Sequence, residues 1–120
     1  MVTIYVYQTF EIKQEKFKEA LENLTEIKNF RNEKYDHKVD ILTPITGKDY
    51  TYALLATYEG LAEMELQNKK MFDDEDYLKL IGDFFLENIV QGSMTTQLFR
   101  SMSDKKQSKE TEKEKDNLSP

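Results

Sequence analysis

The one histidine of the chain, His37, sits in KYDHKVD between Asp36 and Lys38. Imidazole titrates near neutrality, so His37 is a candidate acid–base or substrate-polarising group. Its charged neighbours, ahead of a strand, favour the plainer expectation of an exposed loop side chain. One histidine cannot build a multi-histidine metal site. The DDED run, residues 73–76, offers oxygen ligands to a hard cation but lacks the glycine and spacing of an EF-hand loop. A solvated helix start is expected there, with no metal. A third group comprises Tyr5, Tyr7, Gln8, Tyr50, Tyr52 and Tyr58. Phenols beside an amide can line a small-molecule cavity, with Gln8 a second candidate for polarising a substrate. They can equally form a tyrosine-rich dimer core whose hydroxyls pair with threonine or water, and that is the favoured reading. Arg100, on an otherwise uncharged last strand, can hold an anionic group or make an inter-subunit salt bridge.

These groups act together only if the fold gathers them. Residues 2–12 alternate as a strand, with Val2, Ile4, Val6, Phe10 and Ile12 on one face and Thr3, Tyr5, Tyr7, Thr9 and Glu11 on the other. From about residue 14 to 32, Phe17, Ala20, Leu21, Leu24, Ile27 and Phe30 recur at helical spacing. A second strand follows, with Val39, Ile41, Thr43 and Ile45 on one face, and Pro44 marks it as an edge strand because proline cannot donate to a ladder. The T-G-K-D sequence suits a tight hairpin, with Gly47 free to take positive φ. The third strand, DYTYALLATYEG, carries no charge on either face between Asp49 and Glu59. A short helix is expected from Leu61, with Leu61, Met64 and Met71 inward. Asp73 or Asp74 then caps another helix bearing Tyr77, Leu78, Ile81, Phe84, Phe85, Leu86, Ile89 and Val90. Gly92 falls where a left-handed C-terminal residue is expected. TTQLFRSM, residues 95–102, reads as the last strand.

Composition narrows the functional classes. The chain has 120 residues, 38% apolar and 33% charged, with a net charge of −6. That sign repels phosphates, so neither nucleic acid nor an anionic membrane is an expected partner. The absence of cysteine removes disulfides, thiolate nucleophiles, iron–sulfur clusters and cysteine zinc sites. MVTIYVYQTF has no basic leader and no long apolar core, so no signal peptide and a cytoplasmic location are expected. The segment 103–120 has Leu118 as its one apolar residue. It is expected to be a disordered tail, since it cannot bury enough surface to offset its ordering entropy.

The element order β-α-β-β-α-β, with a split second helix, is that of an α+β ferredoxin-like domain over residues 1–102. Its antiparallel four-stranded sheet is covered by helices on one side. The first and third strands then lie at the centre, and their uncharged, tyrosine-rich second face needs a cover. A second copy packed sheet to sheet supplies it, giving a homodimeric α/β barrel.

Four segments carry a resemblance: YVYQTFEIKQEKFKEAL, LTPITG, the third strand ending in TYEGLAEMEL, and the split helix closing on VQGSMTTQLF. With them the chain resembles the dimeric α/β-barrel superfamily, in particular its small NIPSNAP-like and antibiotic-biosynthesis-monooxygenase-like members. The resemblance implies fold and dimerisation more than activity. Haem-degrading members use a strand Asn, a Trp and a ligating His. Here Gln8 stands at the first position, tryptophan is absent, and Ile81 stands near the third, so haem degradation and its cofactor are not implied. The RNA-recognition motif shares the topology, and Ile4, Tyr5 and Val6 with Lys48, Tyr50 and Tyr52 have its pattern. The negative charge, the tight hairpin and the long second helical region oppose it. The expectation is a structural or small-ligand-binding homodimer with Tyr5, Tyr7, Gln8, Tyr52, Tyr58 and Arg100 near the ligand, and no cofactor. The enzymatic alternative is a cofactor-independent monooxygenase-like protein acting on a small aromatic or polyketide-like molecule.

Overall fold

The computed structural model describes residues 2–102; the polar segment 103–120 expected to be disordered lies outside the described residues. The chain runs β1 (Ile4–Glu11), a 3₁₀ turn Gln14–Lys16, α1 (Phe17–Lys34), β2 (Lys38–Leu42), β3 (Thr51–Tyr58), α2 (Leu61–Phe72), α3 (Glu75–Asp83), a π-helical turn Phe84–Asn88 and β4 (Thr95–Arg100). The strands form one antiparallel sheet in the order β2-β3-β1-β4. This is the expected ferredoxin-like plan, with β1 and β3 central and β2 an edge.

Alternation decides the two faces. Register places Ile4 opposite Tyr58, Val6 opposite Ala56, Gln8 opposite Leu54 and Phe10 opposite Tyr52. These residues share the face that meets the helices, together with Val39 and Ile41 of β2. Phe10, Ala20 and Leu24 are fully buried there, with Ile12, Ile27 and Phe84 almost so. Tyr5, Tyr7, Thr9, Ala53, Leu55, Thr57, Leu42 and Phe99 share the opposite face with Lys38 and Asp40 of β2, and no element among the described residues covers it.

β2 is shorter than its alternation suggests. It stops at Leu42, and residues 43–50 form a longer connection instead of a tight hairpin. Ile45 is 95% exposed: alternation continues past Pro44, but no partner backbone follows it. Gly47 does take positive φ, +87°.

The second helical region departs further. Asp74 caps α3, its carboxylate accepting the Asp76 and Tyr77 N–H groups at 3.0 and 3.3 Å, so DDED is a helix start as expected. After Asp83 the chain unwinds into the wider π turn, and the extra residue rotates the apolar arc. Phe84 and Asn88 then point inward, while Leu78, Phe85, Leu86 and Val90, expected inside, are exposed. In α2 the inward stripe is Met64, Gln67 and Met71, and Leu61 lies outside it. The chain leaves the π turn extended, with Ile89 bridging Ile12, Lys13 N–H donating to Asn88 O at 2.9 Å and Val90 N–H to Glu11 O at 2.8 Å.

Gly92 lies in the turn that follows, at φ +79°, rather than at a helix end. A Cβ there would meet nothing within 4 Å. Gly92→Ala is therefore expected to cost only backbone strain, about 1 kcal/mol, read as a small fall in the urea midpoint. A loss several times larger would mean the turn packs more tightly than this geometry allows. Among the described residues no helix is long and apolar enough to cross a membrane.

Candidate functional site

The buried stripe of α1 runs Ala20, Leu24, Ile27, and its next position at helical spacing is Arg31. The stripe thus carries a guanidinium under the end of the sheet, where it is 6% exposed. Arg31 Nε–H donates to His37 Nε2 at 3.1 Å, and Arg31 Nη2 donates to the Tyr58 hydroxyl at 3.0 Å. The ion pair among the described residues is Lys34–Asp74, at 2.7 Å. Among the described residues Arg31 has no carboxylate partner; its buried charge is met by an imidazole and a phenol. Such an arrangement is costly unless each donor finds an acceptor.

His37 is stacked rather than exposed. Its ring lies against Tyr58, centroids 4.6 Å apart and planes at 21°, and against Tyr35 at 6.2 Å and 20°. It is buried, which corrects the expectation of an exposed loop histidine: the aromatic neighbours come from α1's C-terminus and the end of β3. Burial, and then the Arg31 charge, lower its pKa to about 4. The same geometry fixes the tautomer. Arginine can only donate, so Nε2 must be the acceptor and the single ring proton of neutral His37 resides on Nδ1. Nδ1 is the one buried side-chain polar atom among the described residues without a hydrogen-bond partner.

Neighbouring groups are already engaged. Tyr35 donates its O–H to Asp74 Oδ2 at 2.6 Å, and burial together with that contact raises its pKa. Lys34 and Tyr35 in turn hold the Asp74 carboxyl down at about 2. Burial raises the Tyr58 and Tyr77 phenols, against the pull of Arg31. Gln67, fully buried, donates to Glu63 Oε2 at 2.7 Å and accepts the Asp36 N–H at 3.2 Å. Above the cluster opens a cleft of about 640 Å³ whose wall includes Thr3, Tyr35, His37, Thr57 and Tyr58, with Asp36, Lys38, Glu59 and Glu63 also at its boundary.

The structure divides the residues that the sequence grouped. Tyr58 joins His37 on the helix-covered side. Tyr52 is on that side too, its ring edge-on to Phe17 at 6.1 Å with Tyr50 at 5.4 Å; it was expected beside the same ligand as Tyr5 and Tyr7. Tyr5 and Tyr7 are half-buried on the open face. Tyr7 and Tyr52 both border a smaller cleft of about 300 Å³ beside the 43–50 connection. Gln8 is held by β4, its amide donating to Thr96 Oγ1 at 3.2 Å and touching Met94 Sδ at 4.0 Å. Arg100 is exposed at the far end of β4, opposite Ile4. Sequence reasoning missed Arg31, Tyr35 and Gln67. For Arg31 the signal was present: one more step along the stripe.

No family model matches the chain, and no curated protein does. Solved structures do share its fold. An uncharacterized NIPSNAP domain protein from Burkholderia xenovorans superimposes with a TM-score of 0.67 at 11% identity, covering 80% of this chain and 91% of that one. The cofactor-independent oxygenase SnoaB from Streptomyces nogalater gives 0.64 at 11%, covering 83% and 93%. An antibiotic biosynthesis monooxygenase gives 0.64 at 14%, covering 82% and 98%. At these identities the likeness is one of architecture: the chain has the ferredoxin-like fold common to NIPSNAP and antibiotic-biosynthesis-monooxygenase-like structures.

Proposed function

We propose that the chain is a small-molecule-binding protein whose ligand occupies the cleft at His37, and that it works as a homodimer closed sheet to sheet. One observation carries the binding site: a buried, proton-bearing Nδ1 without an acceptor, in a ring that forms part of the cleft wall. Leaving such a donor unpaired costs about 1–3 kcal/mol, which a ligand oxygen can recover. The dimer is supported by the uncovered face, where Tyr5, Tyr7, Leu55 and Phe99 lie together at its centre, with the charges of Lys38 and Asp40 confined to the edge strand β2. A reducing cytoplasm is the location proposed, in keeping with a chain free of cysteine.

A second reading, a cofactor-independent monooxygenase-like enzyme, is favoured by the cluster itself. An imidazole N–H backed by a guanidinium is a strong donor to an oxygen that gains negative charge. His37 suits that role, whereas Gln8 is occupied by Thr96. The RNA-binding reading loses its stacking platform, because Tyr50 and Tyr52 pack under the helices against Phe17. The long 43–50 connection removes the tight hairpin as an argument against it; the ring placement replaces that argument.

Native mass spectrometry of the protein purified from its own host tests both parts. A dimer carrying a retained small molecule is expected, and a ligand-free monomer at high concentration would refute the proposal. Tyr7→Asp is expected to convert the dimer to monomer in light scattering, because it buries a carboxylate at the sheet-to-sheet contact. A dimer of unchanged strength would place the interface elsewhere.

A further inference from the structure

Resting on the cleft reading above, the geometry points to an uncharged ligand that presents a carbonyl oxygen to His37 Nδ1–H, with carboxylates excluded. Two neighbouring rings of the cleft lining decide this. The Tyr35 hydroxyl is committed to Asp74. Tyr58 accepts from Arg31, which leaves its hydroxyl proton to offer. His37 likewise offers a proton, because Arg31 occupies Nε2. The stacked His37–Tyr58 part of the lining therefore presents donors, and a ligand seated on it must bring an acceptor.

The boundary then sets the ligand's charge. Asp36, Glu59 and Glu63 outnumber Lys38 in the lining, and the chain as a whole carries −6. A carboxylate entering this cleft would meet a net negative boundary and shed its hydration before reaching one neutral N–H. A ketone, ester or amide oxygen sheds far less. Nδ1 is shielded from water in this conformation, so the ligand oxygen reaches it only as the groups packed over it move aside, and pairing it strips no hydration from the protein. Arg31 is a positioning residue here. It touches no ligand, yet it holds the imidazole in the tautomer whose free nitrogen bears the proton, and it polarises that N–H.

Because His37 is the only histidine, the test needs no variant. In tag-free, ¹⁵N-labelled protein at pH 7, long-range ¹H–¹⁵N spectra report the tautomer directly, and Nδ1 is expected to bear the proton. Three probes follow: acetophenone, benzoate and ethylbenzene. Acetophenone is expected to shift the His37 ring nitrogens and to bind at least about tenfold more tightly than the other two. A proton on Nε2, a preference for benzoate, or an unmoved ring with all three probes would each overturn the inference. The cleft reading fails separately: its marks are the backbone amides of Thr3 and Thr57. If benzoate moves those amides best, the cleft binds small molecules but the ligand class is wrong. If no probe moves them, cleft and class fall together.

Discussion

Phe10→Ala is expected to lower stability by about 3–5 kcal/mol, the range for truncating a buried aromatic ring. Phe10 is fully buried on the central strand, and its ring meets Phe84 edge-to-face at 5.1 Å. Sheet and π turn touch through this pair, and neither side can collapse freely into the space. β1 is hydrogen-bonded along both edges, and the extended segment after the π turn is tied to its end by the Ile12–Ile89 bridge. For a domain whose whole stability is of order 5–15 kcal/mol, the loss is about a fifth or more. Urea unfolding checks it: the midpoint should fall with the slope unchanged. A loss under about 1 kcal/mol would show that the two layers are not locked here.

That contact is also where the fold was most readable. Val6, Phe10 and Ile12 declare a period of two, and Leu24 and Ile27 one of 3.6, because each sits on an element buried on one side. Legibility fails where a residue's place depends on something local pattern does not encode. Ile45 continues β2's alternation, but a strand needs a partner, and none follows Pro44. Leu86 belongs to a convincing apolar arc, but one extra residue in the π turn rotates it outward.

Lowering the pH from 6.5 to 4 is expected to remove about 3 kcal/mol of stability through His37 alone. The sign follows from which state takes the proton. The unfolded imidazole titrates near 6.5, and the folded one at about 4. Between these values the unfolded chain binds a proton that the folded chain refuses. The contribution is complete above pH 6.5 and falls away toward 4. Arg31 from α1 points its N–H at Nε2, and Tyr35 and Tyr58 stack on the ring, all against protonation. The carboxylates of Asp36 and Glu63, also in the cleft lining, pull the other way, and burial and the Arg31 charge prevail. Asp74 works in a lower window, from its ordinary value down to about 2, so the two are separable. Urea midpoints across pH 4–7 provide the measurement. His37→Phe keeps the stack and removes the titration, so its profile should lose this slope even though the variant is less stable. An equal slope in the variant would assign the acid sensitivity to other groups.

The site was less readable than the fold for a definite reason. Arg31, Asn23, Gln67 and Asn88 are polar residues at buried positions, tolerable only because partners arrive from distant segments. Arg31 meets Tyr58 across 27 residues, and Asn88 donates to Asn23 across 65. Hydropathy assigns such residues to the surface. His37 shows the converse: its charged neighbours advertise solvent, while the two rings that enclose it come from elements that local pattern treats separately.

The place of β1 bears on how the protein is made. It leaves the ribosome before both of its flanking strands, which span residues 51–58 and 95–100. At ordinary translation speeds the later one follows after an interval on the order of ten seconds. Throughout that interval the strand that becomes the centre of the sheet keeps an apolar side and at least one open edge. Until β4 emerges the nascent chain resembles a sticky half-product, so its success in the cell turns on a holding chaperone or on α1 folding back early to shelter Phe10.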